Sequence, residues 1–244
     1  KTNHHEIILD DITITDSIND ILNSFEEPFS DASQIPTSLV SKFASQKVKV
    51  ILTGDGGDEL FGGYSRYIYF NRYKNMFNFS PYFIRKLISK ILNNINLILS
   101  NSKIDKISKK LFELKNIENF YLNMVSNIDI EKNIVMESNN LVNFFRKFND
   151  LEFKNYTEKM QYLDILSYLT DDILHKVDRS SMMHSLETRA PFLSVDVFKE
   201  SLKLNYNQKF NNNNGKIILR NILKSNFPEN LINIQKKGFG LPLN

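Results

Sequence analysis

The pattern of apolar and polar positions divides the chain at Tyr64, with mixed strand and helix signals before it and mainly helical signals after it. Glu6 to Leu9 reads as a strand. From Asp16 to Phe25, Ile18, Ile21, Leu22 and Phe25 recur at the i, i+3, i+4, i+7 spacing of one helical face. Pro28 ends that helix, because the residue before a proline is biased away from helical backbone. A second helix follows, with Ser33 as its N-cap and Ile35, Leu39, Val40 and Phe43 as its apolar stripe. Val48, Val50, Ile51 and Leu52 then make a short β-branched run around Lys47 and Lys49. Apolar residues on both faces predict a strand covered on both sides, so the chain takes an αβ step into an α/β sheet.

After Tyr64, Ser65 to Phe77 is dense in Tyr, Arg and Phe. Such rings can stack on single-stranded bases, but at helical spacing they read as core with the Arg heads in water. Pro81 starts a helix in which Phe83, Leu87, Ile88, Ile91 and Leu92 recur. Amphipathic segments follow at Ile107 to Leu114, Ile117 to Val125 and Leu141 to Phe148, with no fixed repeat. Met160, Leu163, Leu166 and Leu169 form another apolar face, and Asp171-Asp172 restarts a helix after Thr170. Lys203 to Lys216 holds a polar N-N-N-N-G loop, and Ile217, Ile218, Ile222 and Leu223 mark a last helix.

The strand at Val48 runs into L-T-G-D-G-G-D-E-L-F-G-G-Y, Leu52 to Tyr64. Open α/β sheets place ligands at the carboxyl ends of strands, and this loop leaves such an end. Gly54, Gly56 and Gly57 let another molecule approach the main chain. Asp58 and Glu59 open the next helix, where negative charge is stabilised. Crowding Asp55, Asp58 and Glu59 together requires a cation, a proton or nearby Lys and Arg to offset their repulsion. Mg²⁺ takes one or two protein carboxylates with phosphate oxygens, which Asp55 and Asp58 can supply. The same spacing also suits a solvated acidic turn that only caps the helix.

Composition narrows the classes. The chain has 244 residues, enough for one domain or two small ones, and its 41% hydrophobic and 24% charged content is that of a globular protein. With 31 basic and 28 acidic residues, scattered, it lacks the basic patch of a nucleic-acid binder. The absence of cysteine removes disulfides, Cys zinc sites and a thiol nucleophile. No apolar run approaches the ~18 residues of a membrane span, so the expected location is the cytoplasm. His4 and His5 point to opposite faces of a strand and make a poor metal pair, and His175 and His184 fit no ligand spacing.

Taken as a string, T-G-D-G-G-D-E-L-F-G-G-Y resembles the asparagine synthase family of glutamine-dependent, AMP-forming amide ligases. Three further stretches resemble that family in its order: E-E-P-F-S-D-A-S-Q-I-P-T-S-L-V-S, D-D-I-L-H-K-V-D-R-S-S-M-M-H-S-L-E-T-R-A-P-F-L, and I-N-I-Q-K-K-G-F-G-L-P-L. The resemblance implies an adenine nucleotide alpha-hydrolase-like (ATP pyrophosphatase) synthetase domain. Residues 1–64 would be the remainder of its α/β nucleotide-binding sheet, and 65–244 its mainly helical part. It implies ATP contacts at Thr53, Gly54, Gly56 and Gly57, and Mg²⁺-pyrophosphate at Asp58. Asp55 stands where the family's Glu supports acyl-adenylate formation. Arg179, Glu187 and Arg189 would lie near the substrate and pyrophosphate, where a guanidinium grips a carboxylate or phosphate through two bonds. From the residues alone, a buried Arg–Glu network ordering helix ends serves equally well. Lys236 would stabilise the adenylate, and Ser194 stands where the family usually has Asp.

The implied substrates are ATP, aspartate or another carboxylate, and ammonia released from glutamine by a glutaminase domain expected upstream. Neither an S-G-G-x-D-S pyrophosphate loop nor that Cys-initiated domain occurs here, and the chain opens on Lys1, so it reads as an N-terminally truncated piece. Amidation of a sugar acid and a non-catalytic helical interaction module are the rival readings, and the oligomeric state stays open. The ligase reading requires Asp58 and Lys236 to converge on one cleft. The chain alone is expected to bind ATP weakly and make no amide; ammonia-dependent formation of AMP and asparagine by it would overturn that expectation.

Overall fold

The computed structural model describes residues 2–8, 11–68, 80–99, 108, 121, 124–125, 152–211 and 214–232. Lys236, most of the Tyr/Arg run and most of the segments expected between Ile107 and Phe148 lie outside the described residues. In chain order the elements are α1 (Asp11–Asn23), α2 (Gln34–Ser45), β1 (Val50–Leu52), α3 (Gly57–Phe61), α4 (Tyr82–Leu99) and α5 (Tyr156–Asp164). A π-helical segment (Ile165–Leu174), α6 (His175–Met182), β2 (Glu187–Arg189) and a 3₁₀ turn (Pro191–Leu193) follow. The last helices are α7 (Val195–Lys203), α8 (Tyr206–Lys209), α9 (Ile217–Lys224) and α10 (Glu229–Ile232). They fall into two units, Lys1–Tyr64 with Leu163–Asn244, and Ser65–Tyr162. Among the described residues, no helix is long and apolar enough to cross a membrane.

In the first unit, α1 ends at Asn23, earlier than the apolar spacing predicts. The Ser24 hydroxyl donates to the Ile21 carbonyl at 2.7 Å and closes the last turn. Phe25 is buried beyond the helix end and stacks on Phe29 with ring centroids 4.9 Å apart. Ser33 precedes α2 but does not cap it. Its backbone is already helical (φ −70°, ψ −8°), and its hydroxyl donates to Asp31 Oδ2 at 2.8 Å instead of accepting from the helix. Asp31 also accepts from the Ser33 N–H at 2.8 Å, so the acid two residues upstream organises the turn.

β1 and β2 pair in parallel, with Val50 opposite Glu187, Ile51 opposite Thr188 and Leu52 opposite Arg189. The ladder is extended at both ends, by Glu187 N–H to Lys49 O at 2.9 Å and by Thr53 N–H to Arg189 O at 2.8 Å. The expectation of a strand covered on both faces is corrected: Val50 is 41% and Leu52 74% exposed, and only the Ile51 face is half-buried. Side chains alternate along a strand, so apolar neighbours in sequence occupy opposite faces, and the other described elements cover one of them. The strand expected at Glu6 to Leu9 is also absent over residues 6–8, which pair with no other strand and leave Ile8 84% exposed.

The chain is helical without interruption from Tyr156 to Met182, so Asp171-Asp172 does not restart it. Thr170 lies within the helix, with its hydroxyl bonded back to the Leu166 carbonyl at 3.0 Å. α6 packs on α2, and Ser38 and Ser41 of α2 and Ser180 and Ser181 of α6 are all small and buried. The Ser41 hydroxyl is satisfied by the Thr37 carbonyl at 2.8 Å and that of Ser181 by the Asp178 carbonyl at 3.3 Å, so the small side chains leave no buried donor stranded here.

In the second unit, α4 starts directly after Pro81, as predicted. Among its described side chains, however, the buried ones are Arg85 and Ser89, while Phe83, Leu87 and Ile91 are 69%, 59% and 51% exposed. Ser89 and Ser108 each donate to the other's carbonyl, at 2.8 and 2.9 Å, and this reciprocal pair satisfies the buried hydroxyls. Tyr67 is fully buried with the Arg66 guanidinium 5.6 Å from its ring, which supports the core reading at this position.

Gly62 closes α3 in the left-handed region (φ 77°), and a Cβ there would stand 2.2 Å from the Phe210 ring. Gly62→Ala is expected to lose about 2–4 kcal/mol of unfolding free energy through backbone strain and overpacking. Gly54→Ala, with nothing within 4 Å of its added Cβ, is expected to stay within about 0.5 kcal/mol of the parent. Urea denaturation of the two variants checks both values.

Candidate functional site

The site begins where β1 ends. The Thr53 N–H takes the Arg189 carbonyl, and the chain then turns through Gly54 to Gly57, whose N–H donates to the Gly54 carbonyl at 3.2 Å. Gly56 adopts φ 82°, and its missing side chain makes room for Leu193, whose Cδ2 would lie 2.2 Å from a Cβ. Phe192 approaches Gly57 in the same way at 3.2 Å and meets Phe61 edge-on, with centroids 5.6 Å apart. The acidic glycine loop therefore rests on the end of the E-T-R-A-P-F-L stretch, so two motifs far apart in sequence form one surface. Gly54 is exposed and open to approach. The Thr53 hydroxyl is buried without a hydrogen-bond partner among the described residues, a polar group that an incoming ligand can satisfy.

The three carboxylates of the loop have different surroundings. Asp55 is half-buried on the loop itself. Asp58 forms an ion pair with Lys216, Nζ to Oδ1 2.9 Å, with both side chains partly exposed. Glu59 turns into the interior and accepts a 2.5 Å bond from the Tyr64 hydroxyl. Burial pushes the Glu59 carboxyl up, the Tyr64 bond opposes this, and the charges of Asp58 and Asp164 add to the upward shift. Burial and Glu59 likewise push the Tyr64 phenol up, so it stays a donor.

Lys216 carries no motif that marks it in the sequence. It directly follows the Asn/Gly loop, which forms a bridge between Phe210 and Gly215. Gly215 packs so closely on the Gly62 carbonyl that a Cβ would lie 1.8 Å from its oxygen. The Lys216 N–H then donates to the Phe61 carbonyl at 3.1 Å. The polar loop thus acts as an arm that delivers a cation to the acidic turn. The only sequence hint was a glycine followed by lysine at the end of a turn-forming run.

The candidate arginines take separate positions. Glu187 and Arg189 lie two apart on one face of β2, exposed, with Arg189 Nε 2.7 Å from Glu187 Oε1. That bond and the Glu187 charge raise the Arg189 guanidinium further. Arg179 reaches Glu26 at 3.2 Å, not Glu187, so the described residues form no buried Arg–Glu network. Asp58 lies among the described residues and Lys236 does not, so their convergence is not on view.

A second meeting of motifs joins the Glu26 to Ser41 stretch to α6. Lys176, almost fully buried, pairs with Asp31 and with Asp172, the latter at 3.4 Å. Burial alone would raise the Asp31 carboxyl, but the bonds from Lys176 and Ser33 hold it below its ordinary value. Asp172 is pushed up to about 6 by burial, against the pull of Lys176, with Asp31 adding to the rise. Nearby, His175 packs against Phe25 and Phe29, with centroids 5.8 and 5.6 Å away. His184 Nε2 lies 3.0 Å from the Ser38 hydroxyl, and burial holds its imidazole down, with Lys42 adding. Both histidines thus have packing or hydrogen-bond partners.

No group of three or more His, Cys, Asp and Glu side chains among the described residues forms a metal cage. The loop instead offers one or two half-buried carboxylates, Asp55 and Asp58. That donor set fits a Mg²⁺ ion completed by phosphate oxygens and does not fit a resident structural metal.

Comparison with known proteins gives the family. The family described as Asparagine synthase matches residues 1–244. Asparagine synthetase (glutamine-hydrolyzing) 1 of Bacillus subtilis (strain 168) is 30% identical over 238 residues, covering 90% of this chain and 35% of that protein. A putative asparagine synthetase (glutamine-hydrolyzing) of Mycobacterium tuberculosis (strain H37Rv) is 28% identical over 239 residues, covering 93% of this chain and 35% of that protein. A second putative asparagine synthetase, from Methanocaldococcus jannaschii, is 33% identical over 193 residues, covering 75% of this chain and 35% of that protein. The chain spans about a third of the length of these relatives. No solved structure gives a significant match.

The Asp31–Lys176–Asp172 cluster predicts a pH dependence. Asp172 binds its proton more tightly in the folded chain (about 6) than at its ordinary 3.8. Its contribution to stability is therefore fullest below that ordinary value and falls as pH rises through the folded one. Asp31 has the opposite sign, and its contribution is lost only as pH falls below the ordinary 3.8. Asp172→Asn is expected to gain about 1–2 kcal/mol relative to the parent between acid and neutral pH, allowing for partial exposure. Urea midpoints measured across that range check it.

Proposed function

Because the chain belongs to the asparagine synthase family, we propose that it forms the synthetase part of an ATP-dependent, AMP-forming amide ligase. In this reading it activates a carboxylate, aspartate foremost, and passes glutamine-derived ammonia to it. The observation that carries the reading is the joining of the Thr53–Tyr64 loop to the Glu187–Leu193 stretch through the β1–β2 ladder and the Gly56–Leu193 contact. The names of the relatives, all asparagine synthetases, point to aspartate as the substrate.

The chemistry assigns each group a task. A carboxylate oxygen of the substrate attacks the α-phosphorus of ATP, the bond to the β-phosphate bridge breaks, and pyrophosphate leaves. Ammonia then attacks the acyl carbon, AMP departs with the C–O bonding pair, and the extra proton passes to solvent. Thr53, whose buried hydroxyl has no partner among the described residues, and the open backbone at Gly54 would bind the nucleotide, with Gly56 and Gly57, which pack on Leu193 and Phe192, as further main-chain contacts of the same loop. Asp58 would hold Mg²⁺, which neutralises phosphate charge when bound. Asp55, on the same loop, would stand beside the reacting carboxylate. Arg179, Glu187 and Arg189 would orient the acidic substrate and pyrophosphate through the fork of the guanidinium. Lys236 would add positive charge where negative charge develops.

Carboxylate-dependent exchange of labelled pyrophosphate into ATP tests the reading on the full chain and on the longest natural protein that contains it. Asp55→Asn and Asp58→Asn are each expected to lower that exchange by about a hundredfold or more. Exchange with a sugar acid but not with aspartate would move the substrate assignment. No carboxylate-dependent exchange by the longer protein would end the ligase reading.

A further inference from the structure

We propose that Lys216 is a built-in counter-cation for Asp58, one that a divalent ion must displace before it can bind this carboxylate. The proposal deepens the reading of Asp58 as a cation ligand and rests on it. The pair does not look like an incidental surface contact, because the surrounding backbone is arranged to make it. Lys216 is one of two non-glycine residues with positive φ among those described, at 58°, a conformation that bulky side chains avoid. Three backbone contacts hold it there: its N–H on the Phe61 carbonyl at 3.1 Å, its carbonyl on the Arg220 N–H at 2.9 Å, and Gly215 pressed against the Gly62 oxygen. Arg220 Nε also donates to the Gly215 carbonyl at 3.0 Å.

Gly63 completes the arrangement. A Cβ at this position would fall 1.6 Å from Asp58 Oδ1 and 2.5 Å from Lys216 Cε, so any side chain there would occupy the space of the ion pair. The Gly63 N–H donates to the Asp58 carbonyl at 2.7 Å, which fixes the same turn from the backbone side. Lys216 Nζ also lies 3.8 Å from the position of a Cβ on Gly57, directly over the start of the acidic turn.

A second cation on the same carboxylate oxygen meets Coulomb repulsion from the ammonium, which partial exposure softens but does not abolish. Binding therefore requires the ammonium to leave. A lysine can do so, because its charge sits on a flexible four-carbon stem while its backbone stays anchored. The consequence is an Asp58 whose charge is balanced without a ligand and which holds a stray divalent ion weakly.

Mn²⁺ binding to the full chain, read from the electron paramagnetic resonance signal of the free ion, tests this without an activity assay. Lys216→Met and Lys216→Gln remove the competing charge and are each expected to bind Mn²⁺ about three- to tenfold more tightly than the parent. Lys216→Arg keeps the charge and is expected to bind no more tightly than the parent. Asp58→Asn is expected to bind least. Thermal melts establish that each variant is folded, and the two neutral variants serve as replacements for one another. If both neutral variants bind no more tightly than the parent while Asp58→Asn binds less, the competition is wrong and the cation role of Asp58 survives. If Asp58→Asn binds as the parent does, or no protein in the series binds saturably, the cation role falls and takes the counter-cation with it.

Discussion

Six residues in two parallel strands determine where the candidate site lies. The Arg189 carbonyl accepts the Thr53 N–H, so the glycine loop starts from a fixed point. The same ladder carries the chain on through Ala190 to Phe192 and Leu193, which come to rest against Gly57 and Gly56. Parallel strands cannot be joined by a tight turn and need a long connection. The pairing therefore brings together segments separated by more than a hundred residues, and both segments carry motifs of the family. Without this ladder the loop would have a sequence but no fixed position.

A second constraint is the close approach of the two backbones at Gly62 and Gly215. Each lacks the side chain that would separate them, and the contact places a lysine on Asp58. The crowded carboxylates meet their repulsion in different ways: Asp58 is paired with a cation, Glu59 is buried, which strengthens its hold on a proton, and accepts the Tyr64 hydroxyl, and Asp55 stays half-buried on the loop. Three acids within five residues thus acquire separate chemistries from their surroundings.

This pattern explains how much the sequence reveals. The loop, the helix after it, the helix after Pro81 and the family are all legible, because glycine, proline and apolar spacing act locally. The rest depends on contacts the sequence does not encode by spacing. Asp31, not Ser33, organises the entry to α2, since a short acid two residues upstream accepts both the N–H and the hydroxyl of Ser33. Val50 and Leu52 look buried in a linear reading because they flank Ile51, yet the other described elements cover only one face. Arg179 and Glu187 are close in sequence but take different partners, since α6 and β2 direct them apart. Lys216 belongs to no local pattern and is placed only when the Asn/Gly loop folds back; Lys176 shows an i, i+4 spacing from Asp172, but its bond to Asp31 arises only when α6 settles on α2.

The π-helical segment from Ile165 to Leu174 sits directly before α6, which carries Lys176 and Arg179. Successive residues of an α-helix are offset by about 100° around its axis. A wider stretch of helix therefore sets the rotational phase of everything that follows it. Loss of a single residue from this segment, with its hydrophobic composition kept, would turn α6 about its own axis and swing Lys176 away from Asp31. The length of the segment thus sets the direction in which α6 presents Lys176 and Arg179, and an insertion or deletion there would displace both at once.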